Sequence, residues 1–176
     1  MSKRAAMAVA SSLVLSLAVG AHTVGVVLVE EDSPLLALVD SATASEGLAS
    51  GALDALFDAG QIAIGSPTVR GAREAWADPA FAISAAREGW VDFLVLLFVS
   101  YRGGAPGKAV AIPASLSWRL VRVADGALLG SGSIAGPPDA PDLLAGLAVR
   151  SKALGAAAAR SCLAQIDPFR TPGGKP

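Results

Sequence analysis

Histidine, cysteine and charge are all scarce in this chain. His22 is the only histidine and Cys162 the only cysteine. His22 stands where the leader described below ends, so neither a Ser-His-Asp triad nor a histidine-based zinc site has a well-placed histidine. A lone cysteine permits no internal disulfide and no cysteine-rich metal site. Cys162 lies between Ala158 and Ile166 on an apolar helix stripe, where it reads as a small buried core residue. Charged residues make up 16% of the chain and nearly cancel, to a net charge of −1. That leaves no basic field to hold a nucleic acid. The stretch Gly130-Ser131-Gly132-Ser133-Ile134-Ala135-Gly136 looks superficially like a phosphate loop. It lacks the G-x-G-x-x-G spacing and the P-loop lysine, and no helix opens from it, so a glycine-bearing return strand is the better reading. No cofactor and no metal is expected.

Hydrophobic residues, by contrast, make up 53% of the 176 residues, enough to build the core of one ordinary domain. Some of them form a leader. Lys3 and Arg4 precede the uncharged run Ala5 to Leu17, and Val19-Gly20-Ala21 offers small residues for cleavage after Ala21. This is the pattern of a secretory signal over residues 1–21. The alternative is a retained inner-membrane anchor, because no charge interrupts Ala5 to Val29. Val24 to Val29, however, is β-branched and ends in Glu30-Glu31-Asp32, and reads as the first strand of the domain. Without it about 17 residues remain, or about 26 Å of helix, which is marginal for spanning. The expected organisation is a signal peptide over 1–21, a single domain over 22–166 and a disordered tail over 167–176.

Within the domain, strand one is predicted over Val24 to Glu30, while Leu35 to Val39 has no firm assignment. Thr43-Ala44-Ser45-Glu46 has capping-box spacing, with Thr43 as N-cap and Glu46 at N3. The following helix would bury Leu48, Ala52, Leu53, Leu56 and Phe57 and stop at Gly60. Gln61 to Ile64 reads as a short strand. Asp78-Pro79 opens a helix closed by Gly89. Trp90 to Ser100 is the most apolar run of the domain and reads as a central strand buried on both faces. After a loop over Arg102 to Pro113, Leu116 to Val123 and Ala127 to Ile134 form a hairpin about Ala124-Asp125-Gly126. A last helix runs from Pro141 to about Ile166. The fold class is therefore α/β (α+β), in the order β-α-β-α-β-β-β-α. It has one mixed sheet of about five strands and helices mainly on one face.

The apolar first strand, the helix running through ALFDAG (55–60) into QIAI (61–64), the strand VDFLVL (91–96) and the hairpin SWRLVRVADGALLGSGSI (117–134) bring a family into view. Over roughly residues 24–166 the chain resembles the periplasmic α/β domain shared by three groups. These are the curli-secretion channel subunit, the lipoprotein activators of penicillin-binding proteins, and the amino-terminal domain of the translocation protein TolB. The resemblance implies a protein-binding or scaffolding module of the cell envelope. This chain has no cysteine at its leader to carry a lipid and no obvious channel-forming insertion, so tethering to the outer membrane and pore formation do not follow.

The expected function is that of a non-catalytic, exported envelope module, periplasmic unless the leader is retained. It would bind a protein partner through a sheet edge or an exposed sheet face, and would touch membrane only through an uncleaved leader. Trp118, Arg119, Arg122 and Tyr101 are candidate partner contacts, with Trp76 and Trp90 also of interest, since tryptophan, tyrosine and arginine are enriched in binding hot spots. The alternative function is a small ligand- or cation-binding protein or hydrolase. It would use Glu30, Glu31 and Asp32, which follow strand one where ligands collect in open α/β sheets. The leader reading predicts that protein taken from its native host starts at His22; an intact mass beginning at Met1 would contradict it.

Overall fold

The computed structural model describes residues 21–78, 80–103, 110–138 and 145–166. The proposed leader and the proposed tail lie outside these residues apart from Ala21, as do Pro79 and Pro141 to Leu144. The elements are β1 (Thr23–Glu31), a short 3-10 helix (Pro34–Ala37), α1 (Ala42–Asp58), β2 (Ile62–Gly65), β3 (Val69–Gly71), α2 (Arg73–Ala77), α3 (Ala80–Glu88), β4 (Phe93–Gly103), β5 (Ala111–Arg122), β6 (Ala127–Ala135) and α4 (Leu147–Ile166). They build one mixed sheet in the order β2-β1-β4-β5-β6, with β3 continuing the β2 edge alongside β1. β1 is parallel to β2, β3 and β4, while β4, β5 and β6 run antiparallel in sequence. Among the described residues no helix is long and apolar enough to cross a membrane.

The sequence pattern explains most of these elements. Phe93 to Val99 is buried throughout, as a continuous apolar run requires of a central strand. Alternate side chains divide between two layers. Phe93, Val95, Leu97 and Val99 join Val24, Val26 and Leu28 in the main core beneath α1 and α4. Leu94 and Leu96 join Val121, Val123 and Ala86 in a smaller cluster on the opposite face. Cys162 is fully buried in the main core, and that burial pushes its thiol up to about 12.

The structure corrects several expectations. α1 starts one residue before Thr43, with Ser41 at the N-cap and no side-chain cap bond, so the capping box does not form. Ser45 is turned inward to a different partner, and Phe57 is 72% exposed. β4 and β5 extend into the stretch read as a loop, to Gly103 and from Ala111. β3 and α2 have no counterpart in the sequence pattern. They have three and five residues, too few to show a period.

α1 and α4 meet through glycines. A Cβ on Gly51 would lie 1.9 Å from the Lys152 carbonyl oxygen, and one on Gly155 would lie 2.0 Å from that of Leu48. A Cβ on Gly47, one turn before Gly51, would lie 2.9 Å from the Ala148 carbonyl oxygen. The two backbones are therefore in direct contact, and an exposed Lys152–Asp54 ion pair at 2.7 Å bridges the same seam. Gly51→Ala is predicted to lower stability in urea unfolding by about 2 kcal/mol through overpacking, although alanine favours an isolated helix by about 1 kcal/mol. Unchanged or raised stability would contradict the contact.

Candidate functional site

The two faces of the sheet are covered differently. On one face α1 and α4 pack tightly. On the other, α2 and α3 arch over β1 and β4 and leave a cleft of about 790 Å³. Its floor is Gly25, Val27 and Val29 of β1 with Leu94 and Leu96 of β4, and its roof includes Trp76, Ala82 and Ala86. The β2/β3 edge supplies Ile64 and Val69, which are 45% and 47% exposed. The titratable groups lining it are Arg70, Glu74 and Asp78.

Polar clasps hold this roof. The Arg119 guanidinium reaches up from β5, donates to the Trp76 carbonyl at 3.2 Å and to the Ala77 carbonyl, and stacks 5.3 Å from the Trp76 ring. Arg87 Nε of α3 donates to the Val123 carbonyl at 3.1 Å. Arg73 lies 4.8 Å from the Phe98 ring centre.

At the rim of the cleft, α3 ends unusually. The Trp90 N–H donates to the Arg87 carbonyl at 3.3 Å and the Val91 N–H to the Ala86 carbonyl at 3.1 Å, a Schellman ending. The left-handed residue of that motif is Trp90, at φ 55°, and not Gly89. The corresponding residue after α1 is Gly60, at φ 79°, with the equivalent pair of bonds from Gly60 to Phe57 and from Gln61 to Leu56. Trp90 therefore holds a conformation that costs an L-residue about 1 kcal/mol or more, with its side chain 89% exposed. It sits between Gly89 and Val91, both of which line the cleft.

The residues singled out in the sequence do not assemble into one surface. Trp118 is only 9% exposed and belongs to the core under α4. Its indole covers Gly132, where a Cβ would come within 2.8 Å of Nε1, so Trp118 serves the core and is not an exposed partner contact. Arg119 is the clasp just described. Arg122 pairs with Asp125 across the β5–β6 turn, at 2.6 and 3.0 Å, and these bonds hold the Asp125 carboxyl down to about 2. Tyr101 turns its hydroxyl inward.

That hydroxyl reaches a buried network around Glu30. Ser45 Oγ and Tyr101 Oη both donate to Glu30 Oε1, the latter at 3.2 Å, and Arg70 Nε approaches Oε2 at 3.5 Å. Burial pushes the Glu30 carboxyl up, but hydrogen bonds from Ser45, Ser41, Tyr101 and Arg70 outweigh it and hold the group below its ordinary value. Burial, chiefly, raises the Tyr101 hydroxyl. Glu30 and Glu31 point to opposite faces, as strand neighbours must, and Asp32 is exposed. Glu30, Glu31 and Asp32 therefore do not converge, and Glu30 already has a cation in Arg70. Asp92 accepts the Thr23 N–H at 2.8 Å and so fixes the start of β1.

No protein-family model matches the chain, and no curated protein matches it. Among solved structures it is similar to the PelC dodecamer from Paraburkholderia phytofirmans, at 17% identity over 82% of this chain and 88% of that one, with a TM-score of 0.44. It is also similar to lipoprotein GNA1162 from Neisseria meningitidis, at 18% identity over 84% and 99% with a TM-score of 0.41. A third is the LpoB C-terminal domain from Salmonella enterica, at 15% identity over 66% and 82% with a TM-score of 0.35. LpoB is a penicillin-binding-protein activator, one of the groups that the sequence resembles.

Because the folded state holds the Glu30 proton less readily than the unfolded chain, its network contributes stability above about pH 4.5 that is lost as the pH falls. Glu30→Gln is predicted to cost about 1–3 kcal/mol at pH 7 and to flatten the fall in melting temperature between about pH 5 and 3. An equally steep acid fall in the variant would contradict this.

Proposed function

We propose that the protein is a non-catalytic, exported module of the cell envelope that holds a protein partner in the cleft under α2 and α3. The observation that carries this reading is the pairing of an apolar cleft with an exposed tryptophan kept in a costly backbone conformation at its rim. An exposed tryptophan contributes little to the fold, and strain of this kind clusters at ligand clamps. The same side chain, buried against a partner, is a typical hot spot. The apolar floor rewards a partner that inserts aliphatic or aromatic side chains, at about 25 cal/mol per Å² removed from water. Arg70, Glu74 and Asp78 provide the polar groups that orient such a partner. The secretory pattern of residues 1–21 supports placement in the envelope.

A photo-crosslinking residue placed at Ile64 or Val69, in the native host, is expected to give one adduct of common mass. The same residue at Phe57 or Val149, exposed on the other layer, is expected to give none. Trp90→Gly should raise stability by about 1 kcal/mol, as the left-handed strain is relieved, while cutting adduct yield roughly tenfold or more. Adducts only from positions 57 and 149, or undiminished capture by the glycine variant, would overturn the reading.

A further inference from the structure

The two edges of the sheet are treated in opposite ways. The β2/β3 edge is split into pieces of four and three residues, interrupted by Ser66-Pro67-Thr68, and carries Arg70. Shortness, proline and charge are the usual means of stopping an edge from pairing with another chain. The β6 edge has none of them. It runs for nine residues, Ala127–Ala135, without charge or proline, and its one register irregularity, at Leu129, leaves the regular stretch Gly130 to Ala135 beyond it. We propose that β6 pairs antiparallel with the β6 of a second copy of this chain, across a two-fold axis, and continues the sheet.

The register shows what β6 offers. Gly136 N–H donates to the Ala114 carbonyl at 2.8 Å, and Ser133 and Ser131 stand opposite Ser117 and Arg119. Antiparallel pairs alternate between bonded and non-bonded. Ser131, Ser133 and Ala135 therefore turn their N–H and C=O groups away from β5, to the side where no strand pairs with β6 among the described residues. Neighbouring side chains do little to screen those groups. Gly130 and Gly132 have none, and the Trp118 indole fills the space beneath them from the inner strand.

A second copy fits because the strand is complementary to itself. Its residues are small or apolar and carry no charge, so self-pairing opposes no like charges along the strand. An antiparallel two-fold also carries the Asp125-Gly126 turn of each copy toward the Gly136-Pro137 end of the other, so the acidic turns do not meet. The outward groups of the two copies can form about six intermolecular hydrogen bonds. This inference does not depend on the cleft.

Sedimentation of the purified protein over about 1–200 μM is expected to show a monomer–dimer equilibrium. The three outward residues pair fully only with the axis at Ser133, so Ser133→Glu puts a carboxylate beside its counterpart across the axis, while within the chain it faces the Ser117 hydroxyl, which can donate to it. This variant should weaken the dimer at least about tenfold with no fall in melting temperature, while Val149→Glu on α4 should leave the dimer intact. If Ser133→Glu melts lower, Ser131→Pro, which removes an outward N–H, is read in the same way. A wild-type protein that stays monomeric at the highest concentration overturns the proposal, including one that pairs instead with a foreign strand. So does a dimer that survives either edge substitution in a folded protein.

Discussion

β4 is apolar on both faces, and the rest of the fold answers to that constraint. A strand buried from Phe93 to Val99 needs a layer on each side of the sheet. One layer is supplied by α1 and α4, whose glycines let the backbones touch and whose apolar stripes close the main core over β1, β4 and β5. The other is supplied by α2 and α3, which arch over β1 and β4. They hold the sheet through a smaller apolar cluster around Ala86 and through the clasps of Arg119, Arg87 and Arg73. The cleft is the space left by this unequal cover.

Unequal cover has a functional logic. Elements that open or bind are drawn from the weakly packed part of a structure, while the tightly packed part keeps it folded. Here the strained Trp90 and the exposed aliphatic side chains of the β2/β3 edge belong to the loosely covered face. The buried titratable groups Glu30, Tyr101 and Cys162 lie on the packed side, where they tie α1, β1, β3 and β4 together or fill the core. The sheet thus keeps its polar chemistry for holding itself together.

Much of the architecture was legible in the sequence, because long apolar runs and turn residues act locally. β1, the doubly buried β4, the Asp125-Gly126 hairpin and the glycine stop of α1 all follow from short-range pattern. What failed was non-local. Thr43 and Glu46 have capping-box spacing, but Ser41 begins the helix and Ser45 is drawn to Glu30, fifteen residues away. Trp118 and Arg119 are adjacent, yet only the packing of α4 and α2 decides which faces a helix and which clasps one. Gly89 reads as the end of α3, yet the left-handed residue there is Trp90. The cleft has no sequence signature, since it arises from the path of α3 above the sheet. The one signal that could have revealed the α1–α4 seam was the Gly47/Gly51 spacing together with Gly155.

Amide hydrogen exchange of the native protein, resolved by residue, tests the unequal cover most directly. The account predicts that amides of α2 and α3 exchange through local opening, at rates at least about a hundredfold faster than those of α1 and α4, whose exchange tracks global unfolding. Protection of α3 equal to that of α4 would contradict it.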